Sequence, residues 1–282
     1  MKTGKMILSI IFSLLALVVS QTLAQVIASV FYLIKAPTFI CNMIAGILYV
    51  IIAYLFVKLI CKKFIKDYLA EYCIPKFKLK IQWILVAIVL PAFVLGCYML
   101  FDGSWVENPV SLSEKLSIVS TGIFFTALGA GVVEEMVFRG IIMNAIEKRF
   151  NKTAAILVPS ILFGVVHILG QEFELLSCTL VIVAGTMVGI MFSLIAAWKK
   201  NVWDSAIVHV LWNLFFGGMI HIGNSMDEYF LFSYILKSDS FILTGGEFGI
   251  ESSAIAVAAY CIVIAAILIL NRKKVTKDEK SV

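Results

Sequence analysis

The sequence predicts an all-α polytopic membrane bundle of about eight transmembrane helices with both termini cytoplasmic. Three observations carry this reading. Hydrophobic residues make up 61% of the 282 and charged residues 15%, too apolar a balance for a water-soluble globule. Apolar runs long enough to cross a hydrocarbon core of about 30 Å recur along the chain. Basic residues fall in alternate connections between those runs, as the positive-inside rule requires.

The eight runs lie at about 6–34, 38–60, 81–101, 116–147, 153–170, 176–198, 202–222 and 253–270. The first follows Lys2 and Lys5 and contains a Thr-Leu-Ala24 that resembles a cleavage site. Its apolar residues continue to Ile34, so a retained helix is expected in place of a signal peptide. The first and fourth runs are long enough to tilt or to protrude from the bilayer. Pro91 and Pro159 fall inside spans, where neighbouring helices can satisfy the freed carbonyls. Gly185 with Gly189, and Ser160 with Gly164, place small residues at four-residue spacing and permit close helix contact.

One set of connections holds Lys2, Lys5, the lysines from Lys58 to Lys80, Lys148, Arg149, Lys152, Lys199, Lys200 and the tail from Arg272. The other holds Lys35, Lys115 and Lys237 among the acids that run from Asp102 to Glu251. The net charge of +5 is therefore a topology signal, and no nucleic-acid partner is expected. The connection at 61–80 mixes lysines with aromatics and is expected on the anionic inner leaflet of the lipid bilayer. The connection at 223–252 carries aromatics and Gly245-Gly246 and reads equally well as a cap over the bundle or as an ordinary amphipathic loop. The six cysteines show no metal-ligand spacing and read as small buried hydrophobes. Residues 1–282 thus form a single transmembrane domain, and its polar groups concentrate in a core at 116–222.

That core carries the chemistry. Glu134, Glu135 and Arg139 lie in the fourth span, His167 in the fifth, and His209 and Asn213 in the seventh. A formal charge at the centre of a spanning helix costs about 2.5–3.5 kcal/mol on the insertion scale, so the default reading is a functional site. The competing reading is a polar glue that holds the helices together. Residues four apart share a helix face, which pairs Glu135 with Arg139 and sets His209 beside Asn213. Glu134, turned about 100° from Glu135, is left without a local partner. At about 1.5 Å per residue, Glu134 is roughly 21 Å from Lys148 and His167 roughly 22 Å from Lys152. Asn213 and His209 are roughly 18 and 12 Å from Asn201 by the same rise. Four groups from three helices thus come to similar depth, enough to face one cavity. Amide hydrolysis needs a base to activate water and donors for the oxyanion, and glutamate, histidine and asparagine supply these roles. His221, near the outer end of the seventh span, is expected to be an interfacial residue. Asn201 and Asp204 read as a helix cap with an acid in the first turn.

Glu134-Glu135-Met-Val-Phe-Arg139, Phe163-xxx-His167 and His209-xxx-Asn213 follow one another on three hydrophobic segments. In this order they resemble the signature of the CAAX protease and bacteriocin-processing family of intramembrane endopeptidases, also called the Abi family. The resemblance covers about 116–222 and implies an eight-helix bundle that cuts membrane-associated or prenylated proteins, or peptide precursors. By motif position it implies that Glu134 activates water together with His167, that His209 and Asn213 form the oxyanion site, and that Glu135 and Arg139 support the site structurally. The family is often labelled metalloprotease. A zinc reading would make Glu134, His167 and His209 the ligands of a Zn2+ ion, although the chain lacks HExxH. A glutamate-dependent mechanism without metal is the favoured expectation. The alternatives are a non-catalytic immunity or scaffold protein on the same fold and, less favoured, an ion-coupled transporter. The substrate and the oligomeric state are not legible in the sequence.

Overall fold

A computed structural model of the chain describes residues 1–172 and 174–279, with side chains as far as Arg272. Its helices are α1 Thr3–Leu33, α2 Thr38–Leu59, α3 Ile81–Tyr98, α4 Leu112–Glu147, α5 Lys152–Val166, α6 Leu175–Trp198, α7 Val202–Leu214 and α8 Ala254–Glu279. The protein is a multi-pass integral membrane protein. Six of these helices are long and apolar enough to cross a bilayer: α1, α2 with its continuation to Ile65, α3, α4, α6, and α8 as far as Arg272.

The expected fifth and seventh spans are shorter than their apolar runs suggested. α5 has 15 residues and ends at Val166, leaving His167 as its C-cap and not inside a spanning helix. At 1.5 Å per residue it covers roughly 22 Å, less than the hydrocarbon thickness. α7 has 13 residues and continues as a wider π-helical turn at Phe215–Met219. α5 therefore ends at a polar residue, His167, whereas α7 runs on through apolar Leu214 and Phe215.

α4 is not a uniform helix. Its first turn is fixed by a capping box, in which Ser111 Oγ accepts from Glu114 N and Glu114 Oε2 accepts from Ser111 N. π-helical turns then occupy Thr121–Ala130 and Glu135–Ile142 on either side of Gly131–Glu134. Such turns collect at functional sites, because each shifts the face that later side chains present. Asn144 Nδ2 donates to the carbonyls of Arg139 (3.0 Å) and Gly140 (2.7 Å), two acceptors at the end of the second π stretch.

The basic connections gather at one end. The N-terminal ammonium donates to Lys148 O, Lys5 Nζ donates to Ile65 O, and Lys148 pairs with Asp67. The 61–80 connection does more than lie on a surface: Tyr72, Cys73 and Ile74 are buried beneath the bundle. Cys73 O accepts from Val202 N, and Pro75 O accepts from Trp203 Nε1. Asn201 caps α7 as expected, through a bond from Trp203 N to its side chain. Asp204 takes both the backbone N–H and the ammonium of Lys80, at 3.1 Å each, and so ties α7 to the start of α3.

The opposite end holds a small sheet that no helical pattern announced. β1 Gly103–Glu107, β2 Ile220–Gly223 and β3 Phe232–Leu236 are arranged in the order β1-β3-β2, antiparallel for β1/β3 and parallel for β2/β3. His221 consequently sits on a strand and not on a helix end, 3.9 Å from Asp227, and burial lowers its pKa below the usual value. From the sheet the chain runs through short turns at 241–252 into α8, and those turns fold back into the bundle. Tyr98 OH donates to Leu243 O at 2.6 Å, Ser252 Oγ to Gly245 O at 2.5 Å and Tyr260 OH to Glu251 O at 3.2 Å.

Two hydrophobic clusters fill the bundle. One gathers around α1, α2 and α4; the other joins α3, α6, α7, α8 and the sheet. Small residues set the spacing at the seam. A Cβ on Gly185 of α6 would lie 2.6 Å from Gly164 Cα of α5, and one on Gly189 would lie 2.9 Å from Ser160 Cα. The four small residues noted in the sequence therefore pair with one another across a single helix crossing. Gly131 does the same between α4 and α7, where a Cβ would come within 3.1 Å of the backbone N and Cα of Val210.

Candidate active site

A cavity of about 230 Å³ opens at the seam between the two clusters, and Glu134, His167, His209 and Asn213 all line it. The four residues that spacing and depth placed together are together. Each is held differently.

His209 is 5% exposed and lies flat against Phe192, with ring centroids 4.7 Å apart at an interplanar angle of 20°. Its Nδ1 is 3.2 Å from Glu135 Oε1. A carboxylate can only accept, so Nδ1 carries the proton and Nε2 is directed to the other side, 3.9 Å from Glu134 Oε2. His167 closes α5 with Nδ1 2.6 Å from the Phe163 carbonyl. That oxygen too can only accept, which leaves Nε2 of the neutral ring as a lone-pair acceptor for the cavity. Asn213 Nδ2 donates to Thr126 O in the first π stretch of α4 at 3.1 Å, with a second N–H to spare.

Glu135 and Arg139 stand behind these groups, both 0% exposed. Arg139 NH1 donates to Glu135 Oε1 at 2.9 Å and NH2 to Gly189 O at 3.3 Å. The guanidinium lies 4.4 Å from the centroid of Phe163 and 5.2 Å from that of Phe192. One oxygen of Glu135 thus holds both the arginine and the histidine, and the aromatic rings isolate the group from water. The i,i+4 pair expected from the sequence is formed.

Among the described residues, no three His, Cys, Asp or Glu side chains are disposed to hold one metal ion. Among the described residues no disulfide joins any of the six cysteines.

Two wall residues come from outside the three motifs, on the turns that precede α8. Phe248 meets His167 edge-on, with centroids 6.1 Å apart. Glu251 lines the same cavity, and Trp212 Nε1 donates to its Oε1 at 2.6 Å. Burial raises the pKa of this carboxyl, against the opposing influence of Trp212 and the two histidines. In the sequence Glu251 is one acid among many in the connections of its side. The available signal was its place in Phe248-Gly-Ile-Glu-Ser, a lone acid between apolar residues directly before a spanning helix.

Comparison with known proteins agrees with this geometry. Residues 117–215 match the model of the type II CAAX prenyl endopeptidase Rce1-like family. That match covers about a third of the chain and is to a family of CAAX prenyl endopeptidases, the kind of family that the order of the three motifs resembles. A relative named "Putative membrane peptidase YdiL", from Bacillus subtilis (strain 168), is 25% identical over 143 residues, 49% of this chain and 55% of the relative. The chain thus spans about half the length of the curated relative that it matches. The family match begins in α4 and ends just beyond Asn213, so it contains all six motif residues and excludes Phe248 and Glu251.

Proposed function

We propose that this protein is an intramembrane endopeptidase of the CAAX-processing or bacteriocin-processing type, hydrolysing membrane-associated or prenylated proteins or peptide precursors. One observation carries the reading: a base, two imidazoles and an amide donor, from three separate helices, line a single cavity.

In this mechanism water sits between the Glu134 carboxylate and Nε2 of His167, both proton acceptors. Glu134 takes a proton as the water oxygen adds to the scissile carbonyl carbon, and the carbonyl oxygen becomes an oxyanion. The spare N–H of Asn213 donates to that oxyanion. His209, oriented by Glu135 through Nδ1, stands beside it and donates from Nε2 when that nitrogen carries a proton. The C–N bond then breaks, and the proton held by Glu134 passes to the leaving amine. No step is routed through a metal.

The test is cleavage of prenylated and unmodified peptides by purified protein, with and without a strong chelator, beside Glu134→Gln. The expected loss in the variant is about 10²–10⁴-fold, the usual contribution of a positioned acid–base group. The chelator is expected to have no effect. Full cleavage by Glu134→Gln would refute the reading. Chelator-sensitive activity restored by Zn2+ would replace it with a metal-dependent one.

A further inference from the structure

Glu251 is a cavity carboxylate that hydrolysis, as derived above, leaves without a task. Among the described residues no lysine or arginine lines the cavity, and the Glu251 carboxylate accepts from the neutral indole of Trp212. A half-buried carboxylate held by one neutral donor is under-compensated, and a cation brought to it gains what the protein does not supply. Its position is built. Trp212 lies on α7 one residue before Asn213 and packs edge-on against Tyr260 at 5.2 Å, while Tyr260 OH holds the Glu251 carbonyl.

A second observation places this carboxylate on a path. A smaller space of about 180 Å³ lies on the sheet side, between β2 and the 241–252 turns. Gly217, Phe248 and Glu251 line both this space and the inner cavity. A peptide that reaches Glu134 from the sheet side passes Glu251 at the junction.

We infer that Glu251 determines specificity, its carboxylate receiving the lysine or arginine side chain of a substrate residue beside the bond that Glu134 attacks. The inference rests on the peptidase reading above. Charge complementarity in an enclosed site discriminates strongly, because the wrong partner leaves a buried charge unpaired.

The experiment uses full-length protein in lipid nanodiscs and matched apolar peptides that carry lysine, norleucine or glutamate at one scanned position. Wild type is expected to cut the lysine peptide with kcat/KM at least about tenfold above the norleucine peptide, a ratio within reach of one recognition contact. Glu251→Gln is expected to bring that ratio close to one while still cutting the norleucine peptide. Trp212→Phe, which keeps the carboxylate and removes its anchor, is expected to give an intermediate ratio. If Glu251→Gln fails to fold, Trp212→Phe and wild-type binding of the same peptides decide. Lysine and norleucine peptides bound equally by wild type, or an unchanged ratio in Glu251→Gln, would overturn the inference. Abolition of all cleavage by Glu134→Gln alongside an unchanged Glu251→Gln ratio would leave the peptidase reading standing and remove only this one.

Discussion

Glu134 and Glu135 are neighbours in sequence and opposites in the fold. Glu135 is fully buried and shares one oxygen between Arg139 and His209. The Glu134 side chain is 19% exposed, into a cavity, and faces the His209 imidazole at 3.9 Å. A rotation of about 100° between successive helical residues sends one carboxylate to structure and the other to chemistry. The lesson concerns compensation. A buried charge that holds a partner is spent on orientation, and one left open to a cavity is free to move a proton. The inner pair is itself incompletely satisfied, since Glu135 Oε2 and Arg139 Nε have no hydrogen-bond partner among the described residues. Its role is better read as positioning His209 than as stabilising the bundle.

The largest stability effect expected from breaking this contrast is that of Arg139→Ala, which turns Glu135 into a second uncompensated carboxylate. Removing one partner of a buried pair costs about 3–5 kcal/mol, so thermal unfolding in detergent should show a large fall or no folded protein. Replacing both, as Glu135→Leu with Arg139→Met, should restore most of that stability, because the apolar pair carries no desolvation penalty. The double variant should nevertheless lose activity, since His209 has lost the acceptor that orients it.

Gly131→Ala sharpens the contrast from the side of Glu134. The added methyl meets the Val210 backbone within 3.1 Å and must push α7 away from α4, which separates His209 and Glu134. Overpacking of this kind costs about 1–3 kcal/mol, with a fall in kcat expected to exceed the change in unfolding. Equal turnover by Gly131→Ala and wild type would show that the spacing of the two helices is slack.

The smallest effect is expected far from both glutamates. Lys148 holds the Asp67 carboxyl below its ordinary pKa at the lysine-rich end. A depressed carboxyl pKa gives stability that is present above the unfolded value, near 3.8, and is lost as pH falls through the folded one. Asp67→Asn should therefore lower stability at pH 7 by under about 1 kcal/mol, the pair being partly exposed, and the gap should close in acid.

The helical bundle, the approximate span boundaries and the six motif residues were legible because their signals are local: an apolar run, a four-residue spacing, a charge where lipid forbids one. Gly185, Gly189, Ser160 and Gly164 were visible as small residues for the same reason. What escaped depends on partners distant in the chain. The short strand at 103–107 pairs with 232–236 across more than a hundred residues, 220–223 joins the same strand from its other side, and no one of the three is long enough to show a period of its own. The π turns of α4 are set by packing against α2 and α7, not by any residue pattern within it.

By itself the sequence determined that this chain enters a membrane, which helices carry charge, and that Glu135 and Arg139 share a face. Hydropathy and helical spacing are properties of consecutive residues. Tertiary structure alone decided that α5 stops at His167, that His209 turns Nε2 towards Glu134, and that Glu251 joins the cavity from an outer turn. Each of these depends on which atoms from another part of the chain are available to satisfy a backbone group or a side-chain proton, and only the folded molecule brings those atoms together.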